Sequence, residues 1–199
     1  MNEALLVVDD PLREIRAWYD DAVKAGIPQA EAMTLATATP DGRPSLRVVL
    51  YKAGGDALRF FTNYESRKGQ EMAANSRVAA NFFWETLGRQ IRIEGQVVRL
   101  PAEENDAYFA SRPRESQMGA WASAQSREIA SREELEDNLA RVHARFAQGP
   151  VPRPPHWGGY RLDPDAIEFW SARPFRLHDR LLYTRAGSIG GWQVRRLSP

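Results

Sequence analysis

The segment from Thr62 to Lys68 carries the clearest signal for chemistry in this sequence. Ser66 is a residue type that caps helices, so Arg67 and Lys68 would fall in the first helical turn. Cations at that end oppose the helix dipole, whereas the free backbone N–H groups there favour an anion. A bound phosphate would turn this unfavourable arrangement into an attractive one. The alternative is a solvated first turn whose two long side chains extend into water.

Two further cations lie at the ends of an apolar stretch, Arg47 to Lys52, that has the character of a strand. Alternation along a strand places Arg47 with Val49 and Tyr51 on one face, and Lys52 on the other. The two cations therefore need not contact the same group. From these residues alone, side chains that extend to solvent from the strand ends are the favoured interpretation.

A third group consists of Arg176, His178 and Arg180. Strand alternation would place all three on one face, with Asp179 on the other. Cationic and titratable groups on one face repel each other unless an acid or an anionic ligand lies against them. An exposed edge strand with solvated arginines is an equally good interpretation.

Tyr108, Arg112 and Ser116 are spaced four residues apart, as on one face of a helix. Pro113 disfavours helical geometry at Arg112, so we expect the helix to end near Ser111 and the residues up to Ser116 to form a loop. Loops on a rigid scaffold often carry binding groups. Taken alone, this segment is a weak signal for a site.

The elements that would position these residues are mainly strands. Short stretches rich in Val, Ile, Thr and Phe occur at residues 32–38, 45–52, 57–62, 77–84, 89–100, 157–162, 166–171, 178–184 and 192–197. Turn signals such as Asp41-Gly42 separate several of them. This short spacing predicts a barrel-like meander of strands instead of alternating strand–helix units.

Helices are predicted to flank the strands. The pair Asp10-Pro11 is a strong helix start, and Ser131 with Glu134 forms a capping box. Two more helices are expected to begin near Ser66 and at Pro101. The Pro-rich segment 149–155 is too short to separate two domains, so we expect residues 1–199 to form one α+β domain that is mainly β.

Composition excludes several classes of protein. A net charge of +1 over 199 residues gives no global basic field for nucleic acid or an anionic membrane. The absence of Cys removes disulfides and Cys nucleophiles, and three scattered His residues do not form a metal motif, so no metal is expected. No apolar run suits a membrane span or signal peptide, and no dinucleotide fingerprint or P-loop occurs. We expect a cytoplasmic protein that holds a phosphate-bearing ligand with side chains and one helix start.

From about Ala32 to its C terminus, the chain resembles the pyridoxamine 5'-phosphate oxidase family. Each matching motif is weak alone, but their shared order is a strong signal. The motifs are Arg47–Lys52, Phe61–Asn63, Ser66–Lys68, Arg89-Gln90, Tyr108–Gln117, Gly119–Ser126, Trp157–Arg161, Ile167–Trp170 and Arg176–Arg180.

The resemblance implies a homodimeric FMN-binding split β-barrel with flanking helices and with FMN in two clefts between the subunits. Arg67 and Lys68 would meet the FMN phosphate. The substrate phosphate would be held by Lys52, Tyr108, Arg112 and Ser116. Arg176 and His178 would lie against the substrate's pyridine ring as catalytic residues. The full set implied for FMN is Arg47, Val48, Leu50, Phe61, Thr62, Arg67, Lys68, Gln90, Gln125, Ser126, Trp170 and Arg180.

The implied reaction is oxidation of pyridoxamine or pyridoxine 5'-phosphate to pyridoxal 5'-phosphate, with oxygen as acceptor and hydrogen peroxide as product. The flavin would accept a hydride at N5 from the substrate C4' carbon, while the protein orients the reactants. One alternative is a related flavin oxidase of the phenazine-biosynthesis type. Another is a non-catalytic split-barrel protein that binds flavin or haem. The sequence does not choose between the two phosphorylated substrates and identifies no general base.

One difference from the family pattern lies before the first helix. Family members often carry a basic and aromatic N-terminal arm that folds over the substrate. Residues Met1 to Asp9 of this chain contain no Arg, Lys, Tyr or Phe, so we do not expect them to form such a lid.

Overall fold

A computed structural model describes residues 5, 7–54, 57–185 and 191–199 of the chain. The N-terminal arm, which we expect not to form a lid, falls mostly outside this range, because residues 1–4 and 6 are not among the described residues. Next to it, the backbone N–H of Val8 donates a hydrogen bond to the Tyr183 hydroxyl at 2.9 Å. Among the described residues, no helix has the length and apolar character that crossing a membrane requires.

The strands form one antiparallel sheet in the order β2-β1-β4-β5-β6-β7-β8, and β3 pairs with β6. Because the first half of β6 pairs with β3 and its second half with β7, this strand joins the two sides of the barrel. The strands are β1 (Ala32–Ala38), β2 (Pro44–Leu50), β3 (Leu58–Asn63), β4 (Arg77–Trp84), β5 (Arg89–Arg99), β6 (Trp157–Ser171), β7 (Asp179–Arg185) and β8 (Trp192–Arg196).

Helices cover the sheet, as the sequence predicted. They are α1 (Pro11–Lys24), α2 (Arg67–Ala74), α3 (Ala102–Ser111), α4 (Arg114–Ala122) and α5 (Arg132–Arg145). Asp10 caps α1 by accepting hydrogen bonds from the N–H groups of Leu12 and Arg13. The expected mainly β, α+β class is therefore confirmed.

Alternating apolar residues of the strands form the main core inside the barrel. Leu35, Phe82 and Ile93 are completely buried there, and α1 closes the core with Ile15 and Trp18. A second, smaller apolar cluster packs α3, α4 and the end of α5 against the start of β6. This second cluster fixes the helices that carry part of the site.

The prediction of two strands at 157–162 and 166–171 was wrong, because β6 is continuous across both. The register between β5 and β6 shifts between Glu94 and Gly95, opposite Pro164. A Cβ atom at Gly95 would lie 2.2 Å from the carbonyl oxygen of Asp163. Gly95 thus lets the two backbones approach, and the strand bends at Pro164 instead of ending.

The predicted loop up to Ser116 was also wrong in part. The helix α3 does end at Ser111, with Arg112 and Pro113 at the junction, but α4 begins at once and includes Ser116. The Gln117 side chain donates to the last carbonyl groups of α3, including that of Arg112 at 2.9 Å. This hydrogen bond holds the start of α4 directly against the end of α3, so that no longer loop separates the two helices.

The prediction that Arg176, His178 and Arg180 share one strand face was wrong. The strand β7 begins at Asp179, and Arg176 lies in a short 3-10 turn with Phe175. Phe175 and Arg176 have φ angles of 59° and 61°, which are left-handed and incompatible with a strand. Only Arg180 of the three belongs to the strand.

Candidate active site

One cavity of about 650 Å³, here called the main cavity, lies between the strands β2 and β3 and the helices α3 and α4. It brings together all four residues expected to hold a substrate phosphate. Residues expected to hold FMN line the same space. The predicted site residues in its wall are Val48, Leu50, Lys52, Phe61, Thr62, Lys68, Tyr108, Arg112, Ser116 and Gln125.

A neighbouring space of about 390 Å³, here called the cation cleft, lies beside the start of α2. Val48, Lys68 and Gln125 line both spaces, so the two adjoin. Nine of the twelve residues expected to hold FMN line one or both. The predicted residues in the wall of the cation cleft are Arg47, Val48, Arg67, Lys68, Gln125 and Ser126.

The start of α2 has the geometry that the sequence predicted. Ser66 is its N-cap, and the Ser66 hydroxyl accepts a hydrogen bond from the N–H of Gly69 at 3.3 Å. A Cβ atom at Gly69 would lie 2.1 Å from the carbonyl oxygen of Tyr64, so this turn can pack against the preceding loop only with glycine. Arg67 and Lys68 therefore occupy the first turn, at the edge of the cation cleft.

Lys68 is a buried cation whose contacts are all neutral. Its side chain is 8% exposed, and Nζ lies 3.0 Å from Gln125 Oε1 and 3.2 Å from Thr62 Oγ1. Burial, and then repulsion by Arg47, lower the pKa of Lys68 to about 8. Within the described part of the chain, no carboxylate forms an ion pair with Lys68. An anion in the cation cleft would supply the missing opposite charge.

Glu71 lies behind the cations and was missed in the sequence analysis. Its carboxylate accepts hydrogen bonds from Arg67 Nε at 2.9 Å, Arg47 Nη2 at 3.3 Å and Ser45 Oγ at 2.6 Å, and also from the Thr37 hydroxyl. Burial raises the pKa of Glu71, but the hydrogen bonds from Ser45, Thr37 and Arg67, together with the charge of Arg67, outweigh burial and lower it to about 2. The four-residue spacing of Arg67 and Glu71 on a helix was the available signal.

Arg112 is a second cation that forms no ion pair with any described residue. It lies 4.5 Å above the Trp157 ring, and its Nη1 atom is buried without a hydrogen-bond partner among the described residues. Burial lowers the pKa of Arg112. In the same cavity, Lys52 Nζ lies 6.0 Å from the centre of the Tyr108 ring. These groups form a second position suited to an anion.

The remaining predicted residues lie outside both spaces. Gln90, Trp170 and Arg180 are register partners on the adjacent strands β5, β6 and β7, and the His178 ring lies 4.5 Å from that of Trp170. Arg176 is exposed on the turn that precedes them. We call these five residues the second patch. One chain therefore carries the predicted site in two separate parts.

Arg180 has an acidic partner that the sequence analysis did not find. Its guanidinium donates to both carboxylate oxygens of Glu168, at 2.7 and 3.1 Å. Asp179 binds Arg173 and Arg196 instead. Glu168 lies on β6, eight residues before Arg176 and twelve before Arg180, and the pairing of β6 with β7 brings it to Arg180.

The fold and the two cation-lined spaces define a split-barrel protein suited to phosphate-bearing ligands. Residues 19–146 match the family model described as pyridoxamine 5'-phosphate oxidase. Residues 157–199 match the model of the pyridoxine 5'-phosphate oxidase C-terminal dimerisation region, which supports a homodimer. The chain belongs to the pyridoxamine 5'-phosphate oxidase family.

Individual relatives agree with this assignment. The chain is 56% identical to a pyridoxine/pyridoxamine 5'-phosphate oxidase of Rubrobacter xylanophilus, across 96% of this chain and 87% of the relative. It is 54% identical to one of Cupriavidus metallidurans, across 97% and 91%.

Solved structures show the same fold. PhzG from Burkholderia lata, in complex with tetrahydrophenazine-1-carboxylic acid, matches with a TM-score of 0.90 and 34% identity over the whole of both chains. A pyridoxamine 5'-phosphate oxidase-related, FMN binding protein from Nostoc punctiforme matches with a TM-score of 0.75 and 17% identity, over 98% of this chain and all of that one.

Proposed function

We propose that this protein is an oxidase that converts pyridoxamine 5'-phosphate, pyridoxine 5'-phosphate or both to pyridoxal 5'-phosphate. The observation that carries the proposal is the presence of two separate cationic positions in adjoining spaces. Among the residues that the structure describes, Lys68 has no acidic partner at one position, and Arg112 has an unpaired buried nitrogen at the other. A phosphorylated cofactor and a phosphorylated substrate need two such positions.

The cofactor in this proposal is a flavin, which family membership supports, and specifically FMN. The terminal phosphate of FMN would lie in the cation cleft against Arg47, Arg67 and Lys68. When bound, FMN would supply the redox chemistry, taking up two electrons from the substrate C4' carbon as a hydride and passing them to molecular oxygen to give hydrogen peroxide. With the amine substrate, water would then hydrolyse the resulting imine to the aldehyde and release ammonia. Apolar residues such as Val48 and Leu50, on the wall of the main cavity, would lie beside its ring system.

In the proposed complex, the substrate lies in the main cavity with its phosphate between Lys52 and Arg112. Tyr108 and Ser116 would add neutral hydrogen-bond donors to the same phosphate. The Tyr108 ring is held by stacking on Phe61, at 3.9 Å between ring centres. These residues would orient the substrate. Arg112 would bind the phosphate without first breaking an ion pair to another described residue.

Each complete site, we propose, is formed by two subunits. The second patch lines neither the main cavity nor the cation cleft of its own chain, so in this proposal a partner subunit brings it to them. This arrangement would place Arg176 and His178 beside the substrate ring and Gln90, Trp170 and Arg180 beside FMN. Both family regions would act in one domain of residues 1–199, since β6 of the second region pairs with β3 and β5 of the first.

Bleaching of the flavin in the absence of oxygen tests the proposed reaction. We expect pyridoxamine or pyridoxine 5'-phosphate to abolish the flavin absorbance of the purified protein, and air to restore it. The unphosphorylated vitamers, at the same concentration, are the control and should bleach the flavin far more slowly. A protein whose flavin stays oxidised with both phosphorylated substrates does not have this function.

Arg176→Leu tests the shared site. We expect kcat to fall at least tenfold, equivalent to about 1.4 kcal/mol, while flavin content stays near that of the wild type, because Arg176 contacts the substrate and not the flavin phosphate. At substrate concentrations well below KM, an equal mixture of this variant and Lys52→Met under conditions of subunit exchange should recover about one quarter of the wild-type activity, since half of the dimers are mixed and each mixed dimer has one intact site. If mixing restores nothing although mixed dimers form, each site belongs to one chain.

The similarity to PhzG favours one alternative substrate class, tricyclic carboxylic acids. The same bleaching experiment separates it from the main proposal. Bleaching by a reduced phenazine carboxylic acid, but not by either phosphorylated vitamer, would establish the alternative. The presence of Lys52 and Arg112 together in the main cavity favours the phosphorylated substrate.

A further inference from the structure

Glu71 is the one carboxylate that contacts the cations of the cation cleft, within the described ranges of the chain. It is 6% exposed and lies on the second turn of α2, behind Arg67. The cleft wall includes Arg47, Arg67 and Lys68 but not Glu71 itself. Glu71 therefore touches the groups that would bind a phosphate without facing the space where the phosphate would lie.

The hydrogen bonds of Glu71 determine which nitrogen atoms of Arg47 and Arg67 remain available to bind a phosphate. Arg67 gives its Nε to Glu71 at 2.9 Å, and neither of its terminal nitrogens has a hydrogen-bond partner among the described residues. Arg47 gives Nη2 to Glu71 and to Ser45, and Nη1 to Thr37 and the Leu35 carbonyl. Arg47 is thus held on the side away from the cleft, while both terminal nitrogens of Arg67 remain unbonded within the described part of the chain.

The charges of the cluster fit a phosphate monoester. With Glu71 ionised, three cations and one carboxylate leave a net charge of +2. A phosphate monoester carries a charge of about −1.5 to −2 at pH 7. Removing the Glu71 charge would leave Arg47 and Arg67 without their shared partner and increase the repulsion among the three cations.

We infer that Glu71 is a positioning residue that holds Arg47 and Arg67 for the flavin phosphate and so makes the site selective for FMN over riboflavin. This inference rests on the proposed function, because it takes the cation cleft to be the place of the flavin phosphate. A purely structural role, in which Glu71 only ties α2 to β1 and β2, is the competing explanation.

Flavin binding by Glu71→Gln separates the two roles. In flavin-stripped protein, we expect the Kd for FMN to rise 10- to 100-fold, by analogy with the loss of groups that orient metal ligands. The Kd for riboflavin should change less than about threefold, since riboflavin lacks the phosphate. Glu65→Gln, an exposed carboxylate just before α2, is the matched control and should bind both flavins like the wild type.

Thr37→Val provides a second variant if Glu71→Gln does not fold. Thr37 is buried outside the cleft wall, donates to Glu71 and accepts from Arg47, so the change loosens both without altering any charge. We expect a loss of FMN affinity of at least about threefold with riboflavin affinity unchanged, the effect of one hydrogen bond.

The possible failures are distinguishable. If Glu71→Gln or Thr37→Val raises the Kd values for FMN and riboflavin equally, Glu71 does not position the phosphate-binding cations. The same conclusion follows if the Kd for FMN is unchanged or falls. If the wild-type protein itself binds FMN and riboflavin equally well, the proposed place of the flavin phosphate is wrong, whatever Glu71 does.

Discussion

Lys68→Met is expected to abolish stable retention of FMN. The variant keeps the aliphatic length of the side chain but removes a buried cation that touches only neutral groups. Removing one partner of a buried charge pair costs 2–5 kcal/mol, which corresponds to about 30- to 5,000-fold in Kd. Fluorescence titration of flavin-stripped protein with FMN measures this change.

Riboflavin and a second lysine supply the controls for Lys68→Met. Riboflavin affinity should change less than about threefold, because the lost contact is to the phosphate. Lys24→Met alters an exposed lysine at the end of α1 and should bind FMN like the wild type. Equal losses of affinity for FMN and riboflavin would show that Lys68 stabilises the fold and does not bind the phosphate.

The same lysine predicts how FMN affinity depends on pH. With its pKa lowered to about 8 in the free protein, Lys68 is mostly protonated at pH 7. A bound phosphate favours the charged form, so affinity is nearly constant around pH 7 and falls as the pH rises through about 8. The phosphate itself stays dianionic over this range, since its second pKa is near 6. In Lys68→Met, this fall between pH 7 and 9 should be absent.

Arg112→Met is expected to raise KM for the phosphorylated substrate strongly while flavin stays bound. Arg112 has a buried nitrogen without a hydrogen-bond partner in the described ranges, and methionine would preserve contact with the Trp157 ring. Loss of one charged hydrogen bond costs about 1.5–3 kcal/mol, or roughly 10- to 150-fold in affinity. Lys52→Met should have an effect of the same size, and steady-state kinetics measures both.

Comparing substrates with and without the phosphate sharpens this test. In the wild type, kcat/KM should strongly favour the phosphorylated vitamer, and in Arg112→Met that preference should shrink by the same factor as the rise in KM. Arg13→Met, an exposed cation on α1, is the control. If both Lys52→Met and Arg112→Met keep the wild-type KM, the substrate phosphate lies elsewhere.

Much of the fold could be predicted from local sequence signals. The capping residues Asp10, Ser66 and Ser131 begin helices where the sequence indicated. Period-two alternation correctly placed Arg47, Val49 and Tyr51 on one face, and Val49 and Tyr51 of this face are buried in the core. These features depend on interactions within a few residues, which a single sequence contains.

The two errors in the strand predictions arose from features that period-two alternation does not carry. The continuity of β6 through Pro164 depends on the glycine opposite it in β5, more than sixty residues earlier. The Arg176 turn departs from a strand because the left-handed backbone at Phe175 interrupts the alternation. Alternation alone cannot reveal either feature.

The cationic residues of the site could be predicted from the sequence, but their acidic partners could not. Arg47, Lys52, Lys68 and Arg112 carried signals in their own segments, and the family resemblance joined them. Predicting the contacts of Glu71 requires knowledge that α2 packs against β1 and β2, where Thr37 and Ser45 donate hydrogen bonds to its carboxylate. The separation of the site into two parts likewise appears only when the strands are assembled.

Oxygen uptake with matched vitamers tests the central proposal most directly. Protein saturated with FMN should consume oxygen with pyridoxamine or pyridoxine 5'-phosphate, and should form hydrogen peroxide and pyridoxal 5'-phosphate in equal amounts. The unphosphorylated vitamers should react with a kcat/KM at least about 100-fold lower, since they lose the contacts to Lys52 and Arg112. Absence of oxygen uptake with both phosphorylated vitamers, or equal rates with and without the phosphate, would contradict the account.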